Sequence, residues 1–138
     1  PAKAAHDAAL GKLAPSRVRL LVNPGHLIGY DEWVNSPFYP GTDCTLKSGQ
    51  ALQADLIPVA PKGYYGSNVE DSLCLADARL RGRWRKEAPA SWKRITRRRE
   101  FMARGLGYRL GEDVLPFSNL PGVVRPFFLD RSRAMRVG

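Results

Sequence analysis

A single mixed α/β domain is the fold class this sequence predicts, and three observations carry it. Residues 17–22, 50–59 and 68–75 alternate side chains with the period of a β-strand. Residues 2–13 and 78–104 carry apolar residues at helical spacing. With 138 residues, 43% of them hydrophobic, the chain is long enough to bury one core without disulfides.

Taken in order, residues 2–13 (AKAAHDAALGKL) are rich in helix formers, with Ala5, Ala9 and Leu13 on one face. In residues 17–22 (RVRLLV), Val18, Leu20 and Val22 share a strand face, and Asn23, Pro24 and Gly25 end it. Residues 35–49 read as a loop, and residues 50–59 (QALQADLIPV) as a second strand that Pro58 confines to an edge or exit. After a turn at 61–66, residues 68–75 (NVEDSLCL) form a third strand, with Asn68, Glu70, Ser72 and Cys74 on one face. A helix containing Leu80 and Trp84 follows. Pro89 interrupts it, and Ser91 is the predicted N-cap of another helix that ends at Gly105 and Gly107. From Tyr108 the chain reads as irregular structure with short extended pieces.

The net charge of +9 is local. Residues 78–104 hold eleven of the 22 Lys and Arg residues against two acids, Glu87 and Glu100, whereas the remainder is balanced. Burying large apolar side chains is favourable and burying an unpaired guanidinium is not. Leu80, Trp84, Trp92, Ile95 and Met102 are therefore expected to face inward and the arginines outward. Arg99, at the edge of the stripe, is expected to reach water or pair with an acid. The basic face reads first as solvated. Nucleic acid is not an expected partner, since no recognition motif or aromatic platform accompanies the charge. No apolar run is long enough to cross a membrane. Cys44 and Cys74 lie in no CxxC or zinc-type pattern, which makes the cytoplasm the expected location.

Three residues are candidates for chemistry. Asp55 and Glu70 interrupt strands, and His26 lies between two glycines in NPGHLIG. Each has an ordinary alternative, a strand acid pointing into water or a surface His in a turn. Together they offer the carboxylate and imidazole donors that borderline divalent metals prefer.

Three segments, taken in order, resemble the metal-binding motifs of the pita-bread metallopeptidases, the Xaa-Pro aminopeptidase, prolidase and creatinase type. The run from Val22 to Gly29 resembles their GHxxG segment. The run from Leu46 to Asp55 resembles their L-x-x-G-M-x-x-x-x-E strand, and Asn68 to Leu73 resembles their I-E-D-T-V strand. The resemblance implies a curved antiparallel sheet with helices on its outer face, forming the C-terminal half of a catalytic domain. It also implies a metal-dependent aminopeptidase that hydrolyses small peptides at the N-terminal end. On it, His26, Asp55 and Glu70 are metal ligands, with Asp55 and His26 also catalytic. Mn, Co, Zn and Fe all suit such donors.

The sequence departs from that pattern in three places. Asp55 stands where the family has Glu, Leu56 where it has Pro, and Trp33 where peptidase members carry a second His. Two further Asp ligands of the family have no counterpart before His26. Pro1 is not an initiator Met, and the resemblance places those ligands in an upstream half of a longer parent chain. A dinuclear site requires that half, while three ligands allow a weak mononuclear one. Trp33, Phe38 and Tyr39 are candidates for a substrate pocket or for core packing. The expected partners are a small peptide, the upstream half and a second copy of the chain. The other functional reading is a catalytically degenerate module that binds peptides or partner proteins.

Overall fold

The computed structural model describes residues 1–13, 19–32, 34–59, 69–118 and 132. They form a mixed α+β structure with antiparallel strands and helices. The elements are α1 (Ala2–Leu13), β1 (Arg19–Leu20), β2 (His26–Leu27), β3 (Ala51–Leu56), β4 (Pro58–Val59), β5 (Val69–Leu75), α2 (Ala78–Glu87), α3 (Pro89–Glu100), a π-helical turn at Phe101–Gly105, and β6 (Val114–Pro116). Strands β1 and β4 make a two-stranded ribbon, and the other four are hydrogen-bonded in the order β2-β3-β5-β6. The chain divides into two compact units, Pro1–Leu46 with Leu52–Glu70, and Lys47–Ala51 with Asp71–Gly138.

In the first unit, α1 buries Ala2 and His6; of the predicted face, Ala9 and Leu13 are half-buried and Ala5 is exposed. The helix is held at its start by the Ala2 N–H donating to the Cys44 carbonyl at 3.0 Å. The His6 ring then turns inward while its Nδ1 meets the Asp7 carboxylate at 3.0 Å. An imidazole with one satisfied edge buries its carbon atoms at little cost, so it takes a place that Ala cannot fill. The predicted strand at 50–59 divides at Ile57 into β3 and β4. Pro58, which has no N–H, sits in the two-stranded ribbon opposite Leu20, where no further strand asks for one. Val18, the turn at 61–66 and Asn68 lie outside the described residues.

In the second unit, α2 and α3 pack on β5 and β6. Cys74, Ala76, Ile95 and Leu115 are buried together, with Leu80, Trp84, Trp92 and Phe117 packed around them. Trp84 meets Phe117 edge to face at 5.5 Å, and the Arg85 guanidinium lies 5.3 Å from the centre of the Trp92 ring. The inward stripe is as predicted in its phase. Ile95 and Met102 are buried, whereas Leu80, Trp84 and Trp92 are half-buried.

Two local expectations are corrected. First, α3 begins at Pro89, two residues before Ser91. A proline in the first helical turn lacks only an N–H that would be unbonded anyway. Ala88 closes α2 and opens α3, and the Ser91 hydroxyl instead accepts from Arg94. Second, Arg98 is half-buried and donates to the Pro116 carbonyl at 3.0 Å. Arg99, half-buried at the edge of the stripe, donates to the backbone carbonyls of Gly111 and Val114, the first of these bonds lying exposed to solvent. These two guanidiniums satisfy carbonyl groups around β6, so part of the basic segment is structural.

Helix α2 is capped by Asp77, whose carboxylate accepts from the Leu80 N–H at 2.7 Å. That hydrogen bond is the main reason its pKa lies below the ordinary 3.8. The cap's contribution is therefore fully present above pH 3.8 and is lost as the pH falls through the lower folded value. Helical circular dichroism during thermal unfolding should show wild type losing stability over that range. Asp77→Asn, which keeps an acceptor oxygen, should lose less on the same acidification.

Candidate functional site

Strand β2 is two residues long, and its register decides where His26 points. His26 lies opposite Gln53 of β3, and Leu27 opposite Leu52. Directly opposed residues of an antiparallel pair share a face, and Asp55, two residues beyond Gln53, lies on that face too. Gly25 makes the approach possible. Its φ is +152°, and a Cβ there would collide with the Gln53 carbonyl oxygen and touch the Phe38 ring at 3.4 Å. The Gly25 carbonyl accepts from the Ser36 hydroxyl at 2.6 Å, which in turn accepts from the Phe38 N–H at 3.2 Å.

His26 is 5% exposed and Asp55 3%. The His26 Nδ1 lies 2.9 Å from the Leu27 carbonyl oxygen. A carbonyl can only accept, so Nδ1 carries a proton, and in the neutral ring Nε2 bears the lone pair. That Nε2 lies 3.9 Å from Asp55 Oδ2 and 3.9 Å from Glu70 Oε1. Both separations exceed a hydrogen bond. They approach the spacing of about 3.4 Å between donors around a tetrahedral cation with bonds near 2.1 Å.

The three sequence-predicted ligands therefore converge on one imidazole nitrogen. Asp55 adds a further sign of a polar occupant. Among the described residues, its Oδ1 is buried and accepts no hydrogen bond. Such an atom costs roughly 1–3 kcal/mol when nothing compensates it. Asp55 and His26 both line a cavity of about 280 Å³, together with Val22, Asn23, Gly25 and Ser36. A larger cavity of about 430 Å³ runs along α1 and residues 19–24, and none of its lining residues is a carboxylate. His26 and Asp55 thus share the smaller one.

A fourth donor was not singled out by the sequence. His26, Glu32 and Glu70 each bring a donor atom within 4.8 Å of the other two. The available signal was its place one residue before Trp33, where the resemblance puts a second His. Of the pocket candidates, Phe38 is buried under Gly25 and Tyr39 is exposed, its hydroxyl 4.0 Å from Cys44 Sγ. Trp33 lies outside the described residues.

No family model, curated protein or solved structure matches the chain.

Since Gly25 sets the β2–β3 approach, Gly25→Ala should destabilise the fold by about 2–3 kcal/mol, through both the positive φ and the clash with Gln53. Urea denaturation reads this directly, and an unchanged midpoint would show that the close approach is not needed.

Proposed function

We propose that the chain is the C-terminal half of a metal-dependent aminopeptidase catalytic domain of the pita-bread type, acting on small peptides of the Xaa-Pro class. The observation that carries this is the convergence of His26, Asp55 and Glu70, with a buried Asp55 oxygen that accepts no hydrogen bond among the described residues. The donor chemistry fits a divalent cation such as Mn, Co, Zn or Fe. His26 would hold it through Nε2, oriented by the Nδ1 contact to Leu27, and Asp55 and Glu70 through their carboxylates. A cation bound there would polarise a peptide carbonyl and acidify a bound water. Asp55, buried and backed by β3, would fix the position of the charge, while the more exposed Glu70 would face substrate.

In this reading the antiparallel strands are half of a curved sheet with helices on its outer face. The upstream half of the parent chain completes a dinuclear centre. The free thiols Cys44 and Cys74 agree with a cytoplasmic setting. No helix among the described residues is long and apolar enough to cross a membrane.

A second reading, a degenerate module that binds peptides without hydrolysing them, is favoured by one observation. Among the described residues, three of the five ligands that the resemblance implies are present, His26, Asp55 and Glu70, and Asp55 stands where the family has Glu.

Titration calorimetry with Mn²⁺ or Co²⁺ tests the metal centre. His26→Ala, Asp55→Asn and Glu70→Gln should each weaken binding by roughly tenfold or more, and unchanged affinity in all three would contradict it. The 138-residue chain alone should not turn over an Xaa-Pro dipeptide. Turnover after joining the upstream half supports the enzyme, whereas peptide binding without turnover supports the module.

A further inference from the structure

We propose that Glu32 is a ligand of the same cation, so that this chain holds one divalent ion between Nε2 of His26 and the carboxylates of Glu32 and Glu70, with the Asp55 carboxylate beside His26. The inference rests on the reading of the site as a metal centre and adds a ligand that the motif resemblance does not supply.

The backbone brings Glu32 to the site. The Leu27 N–H donates to the Asn35 carbonyl at 2.9 Å, which folds the chain after β2 back onto that strand. The Asp31 carbonyl accepts from the N–H groups of Val34 and Asn35, both at 3.1 Å, closing a turn that contains Glu32. His26 and Glu32 are thus carried by one short closed segment, and Glu70 arrives from β5. The donor atoms of these three lie within 4.8 Å of one another.

Acidic groups gather on many surfaces without an ion. Here a second observation points to one. The Asp55 side chain is 4% exposed, its Oδ2 faces the same His26 Nε2 at 3.9 Å, and its Oδ1 accepts no hydrogen bond among the described residues. A carboxyl group kept in that position needs a positive partner, and a dication bound by His26 supplies it. The donors also differ usefully in mobility. His26 and Asp55 are buried and fixed, whereas Glu32 is half-buried and the Glu70 side chain is 40% exposed. The two glutamates can close the remaining distance to a donor spacing of about 3.4 Å by side-chain rotation. Two carboxylates and one imidazole, with a third carboxylate beside the imidazole, favour a hard or borderline ion such as Mn²⁺ or Co²⁺ over a thiophilic one.

The test compares Glu32→Gln with Asp31→Asn in the full 138-residue chain, using Co²⁺ absorption and Mn²⁺ calorimetry. Both variants remove one negative charge from the same turn, and the Asp31 side chain is exposed. Wild type should bind one equivalent. Glu32→Gln should weaken binding by roughly tenfold or more and alter the visible cobalt bands, while Asp31→Asn should stay within about threefold of wild type. Glu32→Asp, which keeps a carboxylate, should recover part of the loss and guards against a folding artefact. Equal losses in Glu32→Gln and Asp31→Asn, or wild-type affinity in Glu32→Gln, would overturn the proposal. If His26→Ala and Asp55→Asn abolish binding while Glu32→Gln does not, Glu32 is excluded and the metal centre stands. No binding by wild type overturns both.

Discussion

The pairing of His26 with Gln53 is the constraint from which the site follows. Strand side chains alternate with a period of two, so a one-residue slip would turn His26 away from Asp55 and put Leu27 in its place. The ladder at β2 is short, and two backbone features secure it. Gly25 allows the chain to pass over the Gln53 carbonyl, and Leu27 binds Asn35 in the returning segment. The Ser36 hydroxyl, bonded to the Gly25 carbonyl, fixes the start of the strand from the other side. With the register set, the imidazole is buried, its Nδ1 meets a carbonyl, and its Nε2 faces two carboxyl groups.

That arrangement leaves Asp55 Oδ1 without a hydrogen bond among the described residues. A carboxyl group inside the fold with one oxygen accepting no hydrogen bond is a local cost that packing elsewhere must offset. The first unit offers modest means to do so, because α1 buries only Ala2 and His6 fully and β1, β2 and β4 are two residues each. The second unit is built differently. Its helices bury an apolar stripe on β5 and β6, Asp77 caps α2, and Arg98 and Arg99 satisfy carbonyls around β6. The basic residues at 78–104 are thus divided between solvent-facing charge and structural hydrogen bonding.

The longer regular elements were legible in the sequence because they follow from periodicity, whereas the two-residue β2 at His26–Leu27 was not read as a strand. The alternation around Asp55 and Glu70 located β3 and β5, and the Leu80, Trp84, Trp92 and Ile95 spacing located the helices and their inward face. The convergence of His26, Asp55 and Glu70 was legible only through the order and spacing of three motifs, since no local pattern says which strands pair. Glu32 was not legible. It lies in a turn whose shape depends on hydrogen bonds from Leu27, Val34 and Asn35, and irregular backbone leaves no period to read. The inward turn of His6 was missed for a related reason. A propensity argument favours Ala5, whereas the helix phase is set by a tertiary hydrogen bond at Ala2. The partners of Arg98 and Arg99 are backbone carbonyls 12 to 18 positions away, which composition cannot reveal.

The central proposal is that a cation would compensate the Asp55 carboxyl group in its buried position. Thermal unfolding of wild type and Asp55→Asn, each with and without Mn²⁺, tests it most directly. Without metal, the neutral variant should unfold at a higher temperature than wild type, because the uncompensated carboxyl group is gone. With Mn²⁺ at a hundredfold excess over its Kd, wild type should gain about 2.7 kcal/mol and the variant little. A variant that is less stable than wild type without metal, together with equal metal-induced shifts in both proteins, would contradict the account.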